Sequence, residues 1–210
     1  MTGASDAEVI ALLKRYKCPT PFHEVRTRFL GNIASPVMSV SPMETVKQLW
    51  GGELPEFESM EAVNELLHVL VAGLWNRLTT HQSSRHPFRL LRFDVAETRE
   101  GLTHFALVRR QELDGFVEGL FGPEEHIDLP KRAHEALGVL AELRAMFAGM
   151  GHLLDDPSKP ATSDDLKALV RNIQQMTIIA ETEMNKTTLS CKRARGQLLD
   201  QLQATKPTLH

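Results

Sequence analysis

The stretch SMEAVNELLHVLVAGLWNRLTTHQ, Ser59 to Gln82, decides how this chain folds. Val63, Leu66, Leu67, Leu70, Leu74 and Leu78 recur at steps of three and four. Val69, Val71 and Trp75 widen that stripe until little of the circumference stays polar, the pattern of a helix with neighbours on several sides. The reading that follows is all-α: a multi-helix, bundle-like domain around this central apolar helix, continued by a long C-terminal helix.

Upstream, Ser5 with Glu8 makes a capping box, and Val9, Leu12, Leu13 and Tyr16 give a helix over residues 6 to 17. Thr20 reads as the cap of a second helix with Pro21 at its first position. Phe22, Val25, Phe29, Leu30 and Ile33 hold the period until Ser35-Pro36. Ser41-Pro42 opens a short third helix that stops at Gly51-Gly52.

Downstream, residues 88 to 95 read as extended. Phe93, Val95 and the turn-like Ala96 to Gly101 would suit a hairpin, whereas Phe105, Val108, Leu113, Phe116, Val117 and Leu120 favour a helix from about Thr103 to Phe121. Gly122-Pro123 breaks it. Pro130 then opens a helix carrying Ala133, Leu137, Leu140, Leu143, Phe147 and Met150 to about Leu154. The polar DDPSKPAT, residues 155 to 162, reads as a linker. The expected organisation is a helical domain over 1–154, that linker, a long helix over 163–203 and a disordered tail over 204–210.

Bulk properties bound the function classes. The 210 residues are 42% hydrophobic and 24% charged, a globular balance, and the formal charge of −3 offers no global attraction to nucleic acid or to anionic membrane. Cys18 and Cys191 alone make neither a disulfide framework nor a zinc site. The N-terminus places acids before its apolar residues and reads as a helix and not as a signal peptide; no uncharged run reaches the ~18 residues a bilayer span needs. A cytoplasmic location is expected.

Four pieces in order carry a resemblance: RFLGNIASP (Arg28 to Pro36), LWGGELPEF (Leu49 to Phe57), the pair Trp75-Asn76, and DGFVEGL (Asp114 to Leu120). Together they resemble the YecA/YgfB-like family of uncharacterised bacterial all-helical proteins. The resemblance implies an all-helical fold without catalytic residues. The cysteine-rich metal-binding tail of some members is absent here, so its zinc and partner roles do not carry over. Independently, Gly115 and Gly119 lie on one helical face and predict a close helix crossing, with Gly73 a candidate counterpart.

Candidate chemistry is sparse. Glu65 and His68 match the Glu-x-x-His spacing of two-metal carboxylate bundles, but no second copy of the motif exists; His68 reads better as a partly buried histidine bonded within the bundle. Glu124, Glu125, His126, Asp128, His134 and Glu135 form the densest titratable cluster and read as a solvated loop and helix start. Cys18, near His23, reads as a structural or surface thiol. Gly149-Met150-Gly151 ends a helix and is no dinucleotide loop. Lys192, Arg193 and Arg195, with Lys186 one turn upstream, are the single basic cluster and read as a solvated face.

With no catalytic, metal or cofactor set, the expectation is a non-enzymatic helical interaction or adaptor protein. A metal-dependent enzyme and a nucleic-acid-binding regulator are the alternatives. Leu166, Leu169, Ile173, Met176, Ala180, Met184, Thr187, Cys191, Ala194, Leu198 and Leu202 run from 166 to 202 in ten steps, 3.6 residues each, the period of one straight helix. At about 60 Å it outspans a domain of about 40 Å and should overhang. Met176, Met184, Cys191, Leu198 and Leu202 are therefore the expected partner-binding residues, in a homodimer with a helical seam. A break near Asn185 to Thr188, folding the helix back as a hairpin, is the competing form.

Overall fold

The computed structural model describes residues 4–37, 41–156 and 158–204, so the expected tail beyond Ala204 lies outside the described residues. All regular structure among the described residues is helical, and the all-α reading holds. Helix α1 (Asp6–Arg15) starts at the expected capping box: the Ser5 amide donates to Glu8 at 2.6 Å and the Glu8 amide to the Ser5 hydroxyl at 3.3 Å. It ends two residues earlier than expected, where Lys17 takes a left-handed conformation, φ 47°.

Helix α2 (Phe22–Ala34) corrects the expected cap. Pro21 itself is the N-cap, and the Thr20 hydroxyl instead donates to the Leu49 carbonyl at 3.1 Å, tying the α1–α2 turn to the end of α3. Helix α3 (Pro42–Gln48) is capped by Ser41 as its sequence suggests, and Gly51 and Gly52 follow at φ 83° and 109°, a conformation that glycine adopts without a Cβ penalty.

The Ser59–Gln82 stretch is helical throughout but not evenly wound. Helix α4 (Met60–Leu67) passes into a wide π segment (His68–Trp75), then α5 (Asn76–Leu78) and a tight turn (Thr79–Gln82). Its buried residues Leu66, Leu70, Leu74 and Leu78 recur every four. A regular turn of 3.6 residues would rotate them progressively out of line, and the wider winding brings them back onto one face. Leu67, Val69, Val71 and Trp75 are partly buried and pack against the same core, so the helix has neighbours on more than one side, as its wide apolar stripe suggests.

The closest pairing in the molecule is instead α2 against α6 (Arg99–Phe121). A Cβ on Gly119 would stand 1.9 Å from the Arg28 carbonyl oxygen, one on Gly31 2.1 Å from that of Phe116, and one on Gly115 2.7 Å from that of Glu24. The predicted close crossing at Gly115 and Gly119 is present, but its counterpart is Gly31 in α2. Gly73 packs against Ala4. Trp75 Nε1 donates to Asn32 Oδ1 at 2.9 Å, joining the central helix to the same crossing.

Helix α6 starts four residues before the expected position. The Thr98 hydroxyl caps it by accepting from the Gly101 amide at 3.1 Å. Gly101 had suggested a turn, but it lies inside the first helical turn, where a Cβ would meet the Ala96 carbonyl oxygen at 2.6 Å. Residues 88 to 95 are extended, without a hairpin.

Helix α7 (Lys131–Asp155) turns into the antiparallel α8 (Ser163–Ala204). The segment expected as a domain linker is a bound turn. Arg99 donates to the carbonyls of Leu154 and Asp156 at 2.7 Å and of Lys159 at 2.6 Å, capping the C-terminal end of α7 where its dipole is negative. Arg99→Ala is expected to cost about 2 kcal/mol, the scale of charge-assisted hydrogen bonds left unmade, read as a lower urea midpoint with an unchanged slope. Ile173, Met176, Ala180 and Met184 of α8 join the same core as Leu12, Phe29 and Leu70. Helix α8 thus packs into the domain as far as Cys191, and its last turns are exposed.

Candidate functional site

The 42 residues of α8 form one helix, about 63 Å long, unbroken across Asn185. The weak helix formers there are satisfied in place. The hydroxyls of Thr187 and Thr188 each donate at 2.9 Å to a carbonyl four residues back. Asn185 holds the extended segment: its Oδ1 accepts from the Phe88 amide at 2.8 Å and its Nδ2 donates to the Phe88 carbonyl at 3.0 Å.

Neighbouring side chains complete that clamp. Glu181, almost fully buried, accepts from the Leu90 amide at 3.0 Å and from Arg89 and Arg92. From α6, Glu112 accepts from the Leu91 amide at 2.8 Å and pairs with Arg109, which donates to the Leu91 carbonyl at 2.6 Å and lies 4.5 Å above the Phe105 ring. An extended chain without a sheet partner must find its backbone bonds elsewhere, and here carboxylates, an amide and a guanidinium supply them. This network locks α8 to α6 through residues 88–91; the sequence reading missed it, because its members lie up to 97 positions apart.

The clamp decides which α8 residues face outward. Of the five expected partner-binding residues, Met176, Met184 and Cys191 are covered by their own chain, at 7%, 0% and 0% exposure. Apolar periodicity reports a buried face without saying what buries it. Leu198 and Leu202 are 47% and 55% exposed, as is Leu199 at 46%. Cys191 is the last buried residue of α8, and every side chain described from Gln197 onward is exposed. Lys192 and Arg195 still bond to Gln82, so the overhang is the stretch from Gln197 to Ala204, about 12 Å of helix. A second apolar area, a groove of about 510 Å³ between α7 and α8, is lined by Met146, Gly149, Met150, Leu153, Leu169 and Met176 among others.

The remaining candidates resolve as packing or as surface. His68 is exposed, not partly buried, and Glu65 pairs with Arg15 at 2.7 Å. Glu124, Glu125, His126, Asp128, His134 and Glu135 are all exposed, and among the described residues no three histidine, cysteine or acidic side chains converge as a metal site would need. Cys18 donates to the Leu49 carbonyl at 3.5 Å, and burial raises its thiol pKa; burial pushes Cys191 up to about 11. A thiol held protonated is a poor nucleophile. His23, bonded to Gln111 at 2.9 Å, is shifted down by burial and stays neutral at pH 7.

By length and composition α7 is apolar enough to cross a membrane, with a mean hydropathy of 1.3 over its best window, 28% of which is buried. Its Ala133, Ala136, Leu140, Leu143 and Phe147 face the protein interior, and Arg144 pairs with Asp114 of α6.

Fold and site define an all-helical protein whose long terminal helix is clamped into the core and then projects beyond it. Compared with known proteins, the chain matches no family model, no curated protein and no solved structure.

Proposed function

We propose that the chain is a non-enzymatic, cytoplasmic helical interaction protein that assembles as a two-fold dimer through the projecting end of α8. The observation that carries this reading is the exposure of Leu198 and Leu199, with Leu202 a turn further, on a helix whose preceding apolar stripe is almost wholly covered. The nearest surface of matching shape is the same helix end of a second copy, since a two-fold axis sets identical patches against each other. The exposed stretch from Gln197 to Ala204 is about one heptad long, so association no tighter than the micromolar range is expected. The YecA/YgfB-like resemblance belongs to the same proposal. Its motif residues Gly31, Asn32, Trp75, Gly115 and Gly119 serve the helix crossings, as expected of motifs that specify a scaffold.

Truncation is the test, and its position matters. A chain ending at Ser158 would lose core residues of α8 and is not expected to fold. A chain ending at Gly196 removes, among the described side chains, only exposed ones, and is expected to keep its circular dichroism spectrum and melting temperature. By light scattering it should be a monomer at concentrations where the full chain is a dimer. A truncated chain that still dimerises would remove the seam from this account.

A further inference from the structure

We propose that the groove between the start of α7 and the middle of α8 binds a small molecule carrying two or more linked phosphate groups. Arg89, Arg132, Lys186 and Arg193 line it together with the Ser190 hydroxyl, and no acidic side chain is among the described lining residues. These cations come from three separate segments: the non-helical segment of residues 88–95, the first turn of α7 and two turns of α8. In a chain of formal charge −3, such a convergence is not a product of composition.

The cations differ in their ties. Arg89 is held by Glu181 at 2.7 Å and Lys186 by Glu183 at 3.1 Å, which fixes their positions. Arg132 and Arg193 are exposed and make no ion pair or hydrogen bond among the described residues. Arg132 also stands where α7 begins, next to Lys131, with no acid in that first turn and no side-chain cap at Pro130. The helix dipole puts about half a positive charge at that end; Lys131 there is paired with Glu135 at 4.0 Å, whereas Arg132 has no acid to answer it. An anion in the groove would answer Arg132 and Arg193 together, through charge-assisted guanidinium donors acting on one phosphate chain.

Size and lining select the kind of anion. The groove encloses about 470 Å³, within the roughly 300–1,000 Å³ of small-molecule sites. Its described lining has no aromatic ring on which a base could stack, so the recognition falls on the phosphates, with Pro87 and Leu189 as apolar walls. The outermost residues of the projecting seam, Leu198 to Leu202, are not part of the groove, so the two proposals stand or fall separately.

Inorganic triphosphate, titrated calorimetrically into the full chain at low salt, is the probe. Saturable binding is expected, weakened about tenfold by Arg132→Ala and about tenfold by Arg193→Ala, the effect of losing one charge-assisted contact. Arg171→Ala, an exposed α8 cation outside the groove, should leave the affinity unchanged. All three variants should keep the parent circular dichroism spectrum. Absence of triphosphate binding would overturn the proposal, as would an equal loss from Arg171→Ala. Binding of a short DNA or RNA duplex that the groove variants weaken, without triphosphate binding, would replace it with a nucleic-acid surface.

Discussion

Gly119→Ala should be strongly destabilising, with a urea midpoint far below that of the parent protein. The new Cβ would stand 1.9 Å from the Arg28 carbonyl oxygen and 2.7 Å from its carbon, and both are backbone atoms that no rotamer change can move. Relief requires α2 and α6 to separate, which opens the packing of Phe29, Phe116 and Leu120, all fully buried. Overpacking a core usually costs ~1–3 kcal/mol and more where the backbone is the obstacle. We expect about 4 kcal/mol, a large part of a total near 5–15. Gly138→Ala is the matched control, because its Cβ would meet nothing within 4 Å. That helical position should gain about 0.5–1 kcal/mol. Urea midpoints of the two variants should move in opposite directions, and a Gly119→Ala midpoint equal to the parent's would refute the close crossing.

Leu70→Asp is expected to abolish folding outright. Leu70 is fully buried in the π segment of the central helix, in the row with Leu66, Leu74 and Leu78 that lies deepest in the core. A carboxylate there loses the burial of a leucine and is left without a partner, a combined cost of several kcal/mol. Circular dichroism should report a largely unfolded chain. Val71→Asp, one residue on and only partly buried, should remain folded with a smaller loss. If both variants melted alike, the row of Leu66, Leu70, Leu74 and Leu78 would not be the deeply buried part of this helix.

What the sequence made legible was local. The Ser5–Glu8 capping box, the Ser41-Pro42 start, the glycines after α3 and the 3.6-residue period of α8 each depend on neighbours within a turn, and each is present in the fold. Readings that needed a distant partner fared differently. Gly115 and Gly119 announced a close crossing, but nothing near them in sequence names Gly31 as the surface they meet. The wide winding of residues 68–75 could not be read from composition, although burial at every fourth leucine is its trace. Thr20 and Gly101 look like a cap and a turn until the Leu49 carbonyl and Ala96 are placed beside them.

The candidate site divides in the same way. Periodicity found the stripe of α8 and its length implied an overhang; Leu198 and Leu202 are exposed at that end. It could not show that Met176, Met184 and Cys191 are covered by the chain's own core. That depends on Glu181 and Asn185 gripping residues 88–91 from across the sequence. The basic groove was half visible: Lys186 and Arg193 belong to a cluster evident along one helix, whereas Arg89 and Arg132 join it only through the fold. Residues that look like a solvated face in one dimension become one wall of a cationic cleft in three.

The account's central claim is that the projecting end of α8 joins two copies of this chain. Sedimentation equilibrium of the unaltered full-length protein, run from below to above the micromolar range, tests it most directly. The account predicts a concentration-dependent rise toward twice the chain mass of 23.5 kDa, abolished when Leu198 and Leu199 are both replaced by aspartate in a protein that melts normally. A single-chain mass at every concentration would contradict it.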